Sequence, residues 1–291
     1  MKIKIVFIIN PIAGGKNKNH FSKVIASHLN TSKFEYELIQ TESEKHAYEL
    51  TKTAILNGAE VIVAVGGDGT INEIASALIG STGTLAIIPY GSGNGLARSL
   101  KIPMNTIQAV KLINEFKTAK IDAAKFNEHY FFNMSGMGFD AHISHVFAKD
   151  KNRGLLGYAK ATFSELKNYR SKNYEIIIDG KTLIEDAFIL SVANSSQYGN
   201  EAHIAPRALL QDGLLDLVIV KPFPLYLMPL LALRMFLKSA DRSKYFISLQ
   251  GKSIQINRNK NYVVHLDGEP KLLTENIHIQ ILAKAINVIV P

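Results

Sequence analysis

The sequence predicts an α/β domain followed by an antiparallel β domain, and two observations support this division. In the first part, β-branched apolar runs at residues 3–9 and 61–65 alternate with segments of helical periodicity, which is typical of a three-layer parallel sheet. From about residue 130 onward, short strand-like runs follow one another, and Asp179-Gly180 marks a hairpin. We therefore expect one domain over residues 1–125 and a β-rich domain over residues 126–291.

The composition excludes several classes of protein. The chain has 291 residues, of which 47% are apolar and 20% charged, as in an ordinary folded protein. It contains no cysteine, which excludes disulfides, thiolate nucleophiles and cysteine-ligated metals. The apolar segment at the amino terminus is too short for a signal peptide, so we expect a cytoplasmic protein. A net charge of +8 predicts an anionic partner, and nucleic acid ranks last because no basic block or RNA-binding motif is present.

The first predicted strand, residues 3–9, ends at Asn10 and is followed by two glycines and Lys16. A P-loop would require Ser or Thr after the lysine, and Asn17 stands there instead, so a Walker A site is excluded. Two interpretations of Lys16 stay open: contact with a nucleotide phosphate, or a solvated lysine on a loop.

The stretch that organises the chain is the GGDGT turn at residues 66–70, which lies between a buried strand and a helix. Its three glycines leave backbone N–H groups accessible at a helix N-terminus, where phosphate binds readily. Asp68 would repel phosphate unless a cation or a transferable proton lay between them, which indicates Mg²⁺-nucleotide chemistry or proton abstraction. The alternative is that Asp68 only caps a helix beginning at Ile71.

A second glycine-rich turn at residues 91–95 follows the strand predicted at residues 84–88. Ser92 and Asn94 can form hydrogen bonds with phosphate or ribose, and Arg98 can neutralise charge. Because the carboxyl ends of parallel strands meet at one edge of a sheet, we expect both turns to share a cleft with Asn10 and Thr41.

The motifs NPIAGGK, GGDGTINE and PYGSGNGLAR, in this order, resemble the catalytic domain of the diacylglycerol kinase and sphingosine kinase family of lipid kinases. The resemblance implies ATP and Mg²⁺ as cofactors, an α/β ATP-binding domain, a C-terminal β-sandwich domain that binds lipid, and an active site between them. It also implies that the ATP site is lined by Asn10, Lys16, Thr41, Gly66, Gly67, Asp68, Gly69, Thr70, Glu73, Ser92 and Asn94.

One position departs from the bacterial diacylglycerol kinase pattern. Gly95 stands where many bacterial members carry an aspartate, and a small residue after GSGN is similar to sphingosine and ceramide kinases. The lipid substrate expected from the resemblance is therefore either diacylglycerol or a sphingoid long-chain base.

Carboxylates for catalysis are predicted in both halves of the chain. Asp267-Gly268-Glu269 forms a tight bend, and by resemblance Glu269 is the general base that accepts the proton of the lipid hydroxyl group. Asp68 is the rival for this role. By the same resemblance Asp122 helps to orient Asp68 through a Mg²⁺-water shell, and Asp140 is a further candidate for the cleft; either could instead be a turn or cap residue.

A second Mg²⁺ site is implied by the segment at residues 205–216, which resembles a structural metal-binding segment of the family. By this match Asp212 supplies a carboxylate, while Leu209 and Leu214 supply main-chain oxygens, as a hard cation prefers. The alternative is that Asp212-Gly213 is only a turn.

Residues 222–237 form a strongly apolar segment that contains three prolines and Arg234. It is too short to span a membrane, and two interpretations stay open: a helix packed in the core, or one that contacts lipid.

These observations predict an ATP- and Mg²⁺-dependent lipid kinase located at the inner membrane face. The expected partners are a membrane lipid and an anionic membrane surface bound peripherally, with a homodimer as one option. The alternatives are an enzyme similar to NAD kinase and a lipid-binding protein of the same fold without turnover.

Overall fold

A computed structural model describes residues 2–15, 20–149, 165–166, 169–257, 262–273 and 276–291. The chain forms two compact units. The first comprises Met1–Asp122 and Lys284–Pro291, and the second comprises Ala123–Ala283. Residues 284–291, which the sequence analysis grouped with the β-rich domain, thus belong to the first unit. The chain passes from one unit to the other twice.

The first unit contains a parallel sheet with the strand order β2-β1-β3-β4. The end of a long last strand, β16, adds to this sheet, because Asn287 and Val288 pair in parallel with Thr84 and Leu85. Both β3 and β4 are buried along their whole length, which accounts for their unbroken apolar runs. The strands are β1 (Ile3–Ile9), β2 (Phe34–Gln40), β3 (Val61–Gly66), β4 (Thr84–Pro89) and β16 (Ile277–Ile289).

Helices follow the strands of this sheet, as the alternating sequence pattern predicted. The third helix buries Ile71, Ile74 and Leu78, which recur at helical spacing. The fifth helix is capped by Asn105, whose side chain accepts a hydrogen bond from the N–H of Gln108 at 3.1 Å. The helices are α1 (Phe21–His28), α2 (His46–Leu56), α3 (Asp68–Leu78), α4 (Gly95–Ser99) and α5 (Thr106–Glu115).

The second unit is built from antiparallel strands and two described helices. Its elements are β5 (Thr118–Phe126, which begins in the first unit), β6 (His129–Phe131), β7 (Met134–Gly138), α6 (Phe139–Lys149), β8 (Lys172–Ile178), β9 (Lys181–Ala187), β10 (Ile189–Ala193), β11 (Leu215–Val220), α7 (Met228–Phe236), β12 (Phe246–Gly251), β13 (Ser253–Asn257), β14 (Tyr262–Leu266) and β15 (Glu269–Leu273). The predicted hairpin at Asp179-Gly180 joins β8 to β9, and both turn residues have positive φ.

Two sheets of the second unit share one core. One sheet has the order β12-β11-β10-β7-β14-β15, and the other contains β16, β13, β8 and β9. Tyr174 and Ile254 from the second sheet lie in the same buried cluster as Leu217 and Val264 from the first. The expected fold class, an α/β domain followed by an antiparallel β-sandwich, is therefore confirmed.

The apolar segment at residues 222–237 forms α7 after a short 3₁₀ turn, Leu225–Leu227. Its buried side chain is Leu231, and Met228 and Met235 pack against buried clusters. Leu233 and Leu237 remain exposed. Of the two interpretations of this segment, packing in the core thus accounts for one face of α7. None of the helices in the described ranges is long and apolar enough to cross a membrane.

Candidate active site

Three loops meet at the carboxyl-terminal edge of the parallel sheet in the first unit. They follow β1, β3 and β4, and backbone hydrogen bonds join them: Asn10 N–H donates to Val65 O at 3.0 Å, and Tyr90 N–H donates to Gly66 O at 2.7 Å. The N–H of Thr41, after β2, donates to Ile9 O at 2.9 Å. The strand register thus brings together the turns that the sequence analysis expected in one cleft.

The two glycine-rich turns approach so closely that side chains would not fit between them. A Cβ atom added to Gly91 would lie 2.7 Å from the Cα atom of Gly67, and one added to Gly67 would lie 3.2 Å from that of Gly91. At Gly66, a Cβ atom would lie 2.6 Å from the side chain of Thr70. Close packing of the two turns therefore favours glycine at positions 66, 67 and 91, where a side chain would collide with a neighbour or crowd it.

Asp68 holds the second glycine turn in place. Its Oδ2 atom accepts a hydrogen bond from the N–H of Asn94 at 2.8 Å, and its Oδ1 atom accepts one from the N–H of Gly95 at 2.8 Å. These are first-turn and cap positions of α4, so the carboxylate caps that helix. The sequence analysis offered an alternative in which Asp68 only caps a helix that begins at Ile71. In the structure, α3 begins at Asp68 itself, so Asp68 lies inside that helix and its carboxylate caps α4 instead.

Asn10 and Thr70 link the first loop to the GGDGT turn. The Nδ2 atom of Asn10 donates to Thr70 Oγ1 at 3.1 Å, and its Oδ1 atom accepts from the N–H of Ile12 at 3.1 Å. Thr70 and Thr41 are buried. These predicted ATP-site residues therefore brace the loops. Lys16, the remaining candidate of the first loop, lies outside the described residues.

Asn94 uses its side chain within its own turn. Its Oδ1 atom accepts from the N–H of Gly91 at 2.8 Å, and its Nδ2 atom donates to Gly91 O at 2.7 Å. The backbone of Asn94 is left-handed, with φ 51°, which asparagine tolerates well. Ser92 at the tip of the turn is exposed, and Arg98 Nε donates to Gly93 O at 3.1 Å.

Glu73, which the resemblance places in the ATP site, caps α2. Its Oε1 atom accepts from the N–H of Lys45, and its Oε2 atom accepts from the N–H of Ala47, both at 3.0 Å. Lys45 is the N-cap residue of α2 and provides no side-chain cap of its own. A carboxylate from α3 thus accepts hydrogen bonds from backbone N–H groups at the start of α2, which have no partner within their own helix.

The first turn of α3 has the features of a phosphate site. Its N-cap residue is Gly67, which forms no side-chain cap, and Gly67, Asp68 and Gly69 are partly exposed. N–H groups in the first turn of a helix have no partner within the helix, and the helix dipole favours an anion there. These residues therefore fit the triphosphate chain of a nucleotide.

Asp122 is fully buried in the first unit, where its Oδ1 atom accepts a hydrogen bond from the N–H of Lys284 at 2.6 Å. This bond ties β5 to the end of the chain. The role in orienting Asp68 that the resemblance implies stays a prediction.

Glu269 lies in a two-residue hairpin of the second unit. Asp267 and Gly268 have φ values of 49° and 89° and join β14 to β15, with Glu269 paired opposite Leu266. The Asp267 carboxylate accepts hydrogen bonds from three consecutive backbone N–H groups, those of Phe132, Asn133 and Met134, at 2.9–3.0 Å. Asp267 therefore fixes the hairpin, and Glu269 is left exposed at its end.

A buried polar network lies beside this hairpin. The Oδ2 atom of Asp140 accepts hydrogen bonds from Ser191 Oγ at 3.0 Å and Tyr198 OH at 2.9 Å, and lies 3.1 Å from His265 Nε2. His265 and Ser191 flank Gly136 on the neighbouring strands, and a Cβ atom at Gly136 would collide with the Asp140 carboxylate. The sequence analysis listed Asp140 as a cleft candidate but did not predict this network, because its members are far apart in the chain.

Asp212 and Leu209, two predicted ligands of a structural metal, are exposed, and Asp212 Oδ1 accepts from the N–H of Leu214 at 3.0 Å. Within the described ranges, no three His, Cys, Asp or Glu side chains are grouped, so a metal here would depend on the single carboxylate of Asp212 and on main-chain oxygens. The sequence analysis did not single out Asp216, a buried acid in β11. Burial raises the pKa of its carboxyl group to about 6, the hydrogen bond from Gln250 opposes the rise, and the charge of Asp212 adds to it.

Comparisons with known proteins agree with the two-part architecture. Residues 4–126 match the diacylglycerol kinase catalytic domain, and residues 133–290 match the YegS C-terminal NAD kinase beta sandwich-like domain. The protein named "Probable lipid kinase YegS-like" of Yersinia enterocolitica is 31% identical over 260 residues, which cover 87% of this chain and 84% of that protein. The diacylglycerol kinase of Bacillus subtilis is 29% identical over 90% of this chain and 88% of its own length.

A solved structure of a diacylglycerol kinase from Bacillus anthracis strain Sterne has a TM-score of 0.75 with this chain. The match covers 99% of this chain and 97% of the other, at 22% identity, and so supports the fold. Together, the two domain matches and the 31% identity to a YegS-like protein show that this chain belongs to the lipid kinase family that joins a diacylglycerol kinase catalytic domain to a YegS-type β-sandwich domain.

Proposed function

We propose that this protein transfers the γ-phosphoryl group of MgATP to a hydroxyl group of a membrane lipid, either diacylglycerol or a sphingoid long-chain base. The observation that carries the proposal is the junction of the two glycine turns through Asp68. It supports a nucleotide site because it places an uncapped helix N-terminus and a carboxylate at one edge of the sheet.

The nucleotide would be bound chiefly by backbone groups. The first-turn N–H groups of α3 would donate to the phosphates, while the hydrogen bonds of Asn10 and Asn94 keep the flanking loops in position. Phosphoryl transfer depends mostly on positioning and charge neutralisation, which rigid loops provide.

Asp68 would hold the divalent cation. Backbone N–H groups of the second glycine turn hold its carboxylate at the start of α3, and a carboxylate is the type of ligand that a hard cation such as Mg²⁺ prefers. Gly95 brings no second carboxylate to this junction, in contrast to many bacterial diacylglycerol kinases. This difference is the reason for including a sphingoid long-chain base among the proposed substrates.

Glu269 would act as general base on the lipid hydroxyl group. Its hairpin is fixed by the three hydrogen bonds to Asp267, so the carboxylate is presented from a rigid support.

In the same unit, Asp212 would supply the carboxylate of a structural Mg²⁺ site, with main-chain oxygens of Leu209 and Leu214.

The test is a panel of reactions with radiolabelled ATP and Mg²⁺, in which diacylglycerol, sphingosine, ceramide and NAD are offered separately and products are resolved by chromatography. We expect a labelled phospholipid from diacylglycerol or from sphingosine. Labelled NADP alone would establish the NAD kinase alternative. Lipid binding without any labelled product would establish the alternative of a lipid-binding protein without turnover.

A further inference from the structure

A large apolar surface lies on and beside α7 in the second unit. Six large apolar side chains in this segment have between 45% and 80% of their surface exposed: Leu225, Tyr226, Leu230, Leu233, Phe236 and Leu237. Single exposed apolar residues are common on proteins, but a contiguous group of this kind marks a contact with another apolar phase.

The helix has two apolar faces, and the core uses only one of them. Met228, Leu231 and Met235 follow a spacing of three and four residues and contact the buried part of the unit. Four further residues follow the same spacing on the other side of α7 and of its two flanking turns, and we call them the outer face: Tyr226, Leu230, Leu233 and Leu237. Packing within the described residues does not account for these side chains.

Positive charge accompanies the outer face. Arg234 and Arg242 line a groove of about 410 Å³ together with Leu230, Leu233 and Leu237. Residues 222–245 contain four basic residues, Arg234, Lys238, Arg242 and Lys244, and one acidic residue, Asp241. The carboxylate of Asp241 is paired with Arg207 at 2.8 Å, so it neutralises a cation from another segment.

We propose that the outer face of α7 docks onto a bilayer that contains anionic lipids. The leucines would enter the boundary of the acyl chains, and Arg234, Lys238 and Arg242 would lie among the headgroups, as in other interfacial helices. With nine residues, α7 lies in the interface and cannot cross the bilayer. This docking does not depend on the proposed phosphoryl transfer.

A second copy of the chain fits this surface less well. In a two-fold dimer the same patch meets itself, which would bring the basic side chains of both copies together without acidic partners. An anionic bilayer satisfies the apolar and the charged parts of the surface at once.

The first experiment measures cosedimentation of the protein with phosphatidylcholine vesicles, with and without phosphatidylglycerol, at low and high salt. We expect Leu230→Gln/Leu233→Gln to lower the partition coefficient at least about 10-fold, because two exposed leucines no longer enter the bilayer. Lys238→Gln/Arg242→Gln should lower binding to anionic vesicles about 10-fold and weaken its salt dependence. Ile184→Gln is the matched control, since Ile184 is 64% exposed on β9, and its binding should equal that of the wild type.

The second experiment uses fluorescence, because the chain contains no tryptophan. Tyr226→Trp places a single reporter at the start of the outer face, and Ile184→Trp places one on β9. Anionic vesicles should shift the emission of the Tyr226→Trp protein to shorter wavelength, and brominated lipids should quench it. The Ile184→Trp protein should show neither effect.

Several results would overturn the proposal. Wild-type binding by the leucine variant, or equal responses from both tryptophan reporters, would show that α7 does not enter the bilayer. A dimer in sedimentation equilibrium that Leu230→Gln/Leu233→Gln dissociates, with vesicle binding unchanged, would assign the surface to self-association. If circular dichroism shows that the leucine variant is unfolded, the comparison of the two tryptophan reporters decides whether α7 enters the bilayer. Vesicle binding without any phosphorylated product would retain the docking surface and reject the proposed function.

Discussion

The carboxylate of Asp68 accepts the backbone N–H groups of Asn94 and Gly95, both at 2.8 Å. One side chain in the GGDGT turn therefore sets the position of the second glycine turn and the start of α4. A metal ligand at this position would be aligned by the protein backbone itself, which reduces the reorganisation needed when the nucleotide binds.

Asp68→Asn should impair both the fold and the reaction. One end of the amide is an NH₂ group, which would face a backbone donor and leave it without an acceptor, so the free energy of unfolding should fall by about 1–3 kcal/mol. Loss of the charge for the metal should lower kcat at least about 100-fold. Urea unfolding and lipid kinase assays measure the two effects.

Asp179→Asn is the matched control, because Asp179 also accepts two backbone N–H groups, those of Lys252 and Ser253, and lies at a hairpin of the second unit. We expect Asp179→Asn to lose a comparable amount of stability and to keep kcat within about 2-fold of the wild type, because the proposed function gives Asp68, and not Asp179, a role at the metal. If both variants kept wild-type kcat, the metal assignment of Asp68 would be wrong.

Glu269→Gln should abolish most turnover without affecting stability. Glu269 is exposed at the start of β15, so the free energy of unfolding should change by less than about 0.5 kcal/mol. Because Glu269 is the proposed general base, its replacement should reduce kcat at least about 100-fold. Single-turnover assays with saturating lipid measure this step, and a nearly normal rate would transfer the role to another group.

Gly136→Ala should break the buried network of the second unit. The new methyl group would collide with Asp140 and His265, so we expect a loss of at least about 2 kcal/mol in the free energy of unfolding. Asp140→Asn should then cost less in the Gly136→Ala background than in the wild type, since both changes act on the same hydrogen bonds. Additive effects in this double-mutant cycle would show that the network is not a single unit.

Asp216→Asn should stabilise the protein above about pH 6. Because burial raises the pKa of Asp216 from 3.8 to about 6, the folded state binds more protons than the unfolded state between these values. The stabilising contribution of this group is therefore complete below pH 3.8 and is lost as the pH rises through about 6. Asparagine cannot ionise, so the variant should gain about 1–2 kcal/mol at neutral pH, allowing for solvent screening. Urea unfolding of the wild type and of Asp216→Asn, in EDTA and across this pH range, measures the gain. If the free energy of unfolding depended on pH equally steeply in both proteins, the prediction would be contradicted.

Sequence patterns predicted the parts of the site that depend on local chemistry. The apolar runs of β3 and β4 and the glycine turns after them indicated which loops would meet, because parallel strands place their carboxyl ends together. The Asp267-Gly268-Glu269 segment likewise indicated a tight bend, which in the structure is the hairpin that joins β14 to β15.

Contacts between distant segments could not be predicted in this way. Glu73 caps α2 from a neighbouring helix, and the N-cap residue Lys45, which is left-handed with φ 64°, provides no side-chain cap of its own. The partners of Asp140 lie on β10, β14 and an intervening loop, so no spacing in the sequence connects them. The alternation of apolar and polar residues in β16 predicts a strand, but it does not indicate which sheet the last residues of that strand join.

The return of residues 284–291 to the first unit affects how the catalytic half could be isolated. A polypeptide that stopped after β5 would lack the strand that pairs with Thr84 and Leu85, and the buried Asp122 would lose the N–H of Lys284. An isolated half would therefore need its C-terminal octapeptide grafted behind Asp122 or supplied as a separate peptide, much as split reporters are completed by their missing fragment.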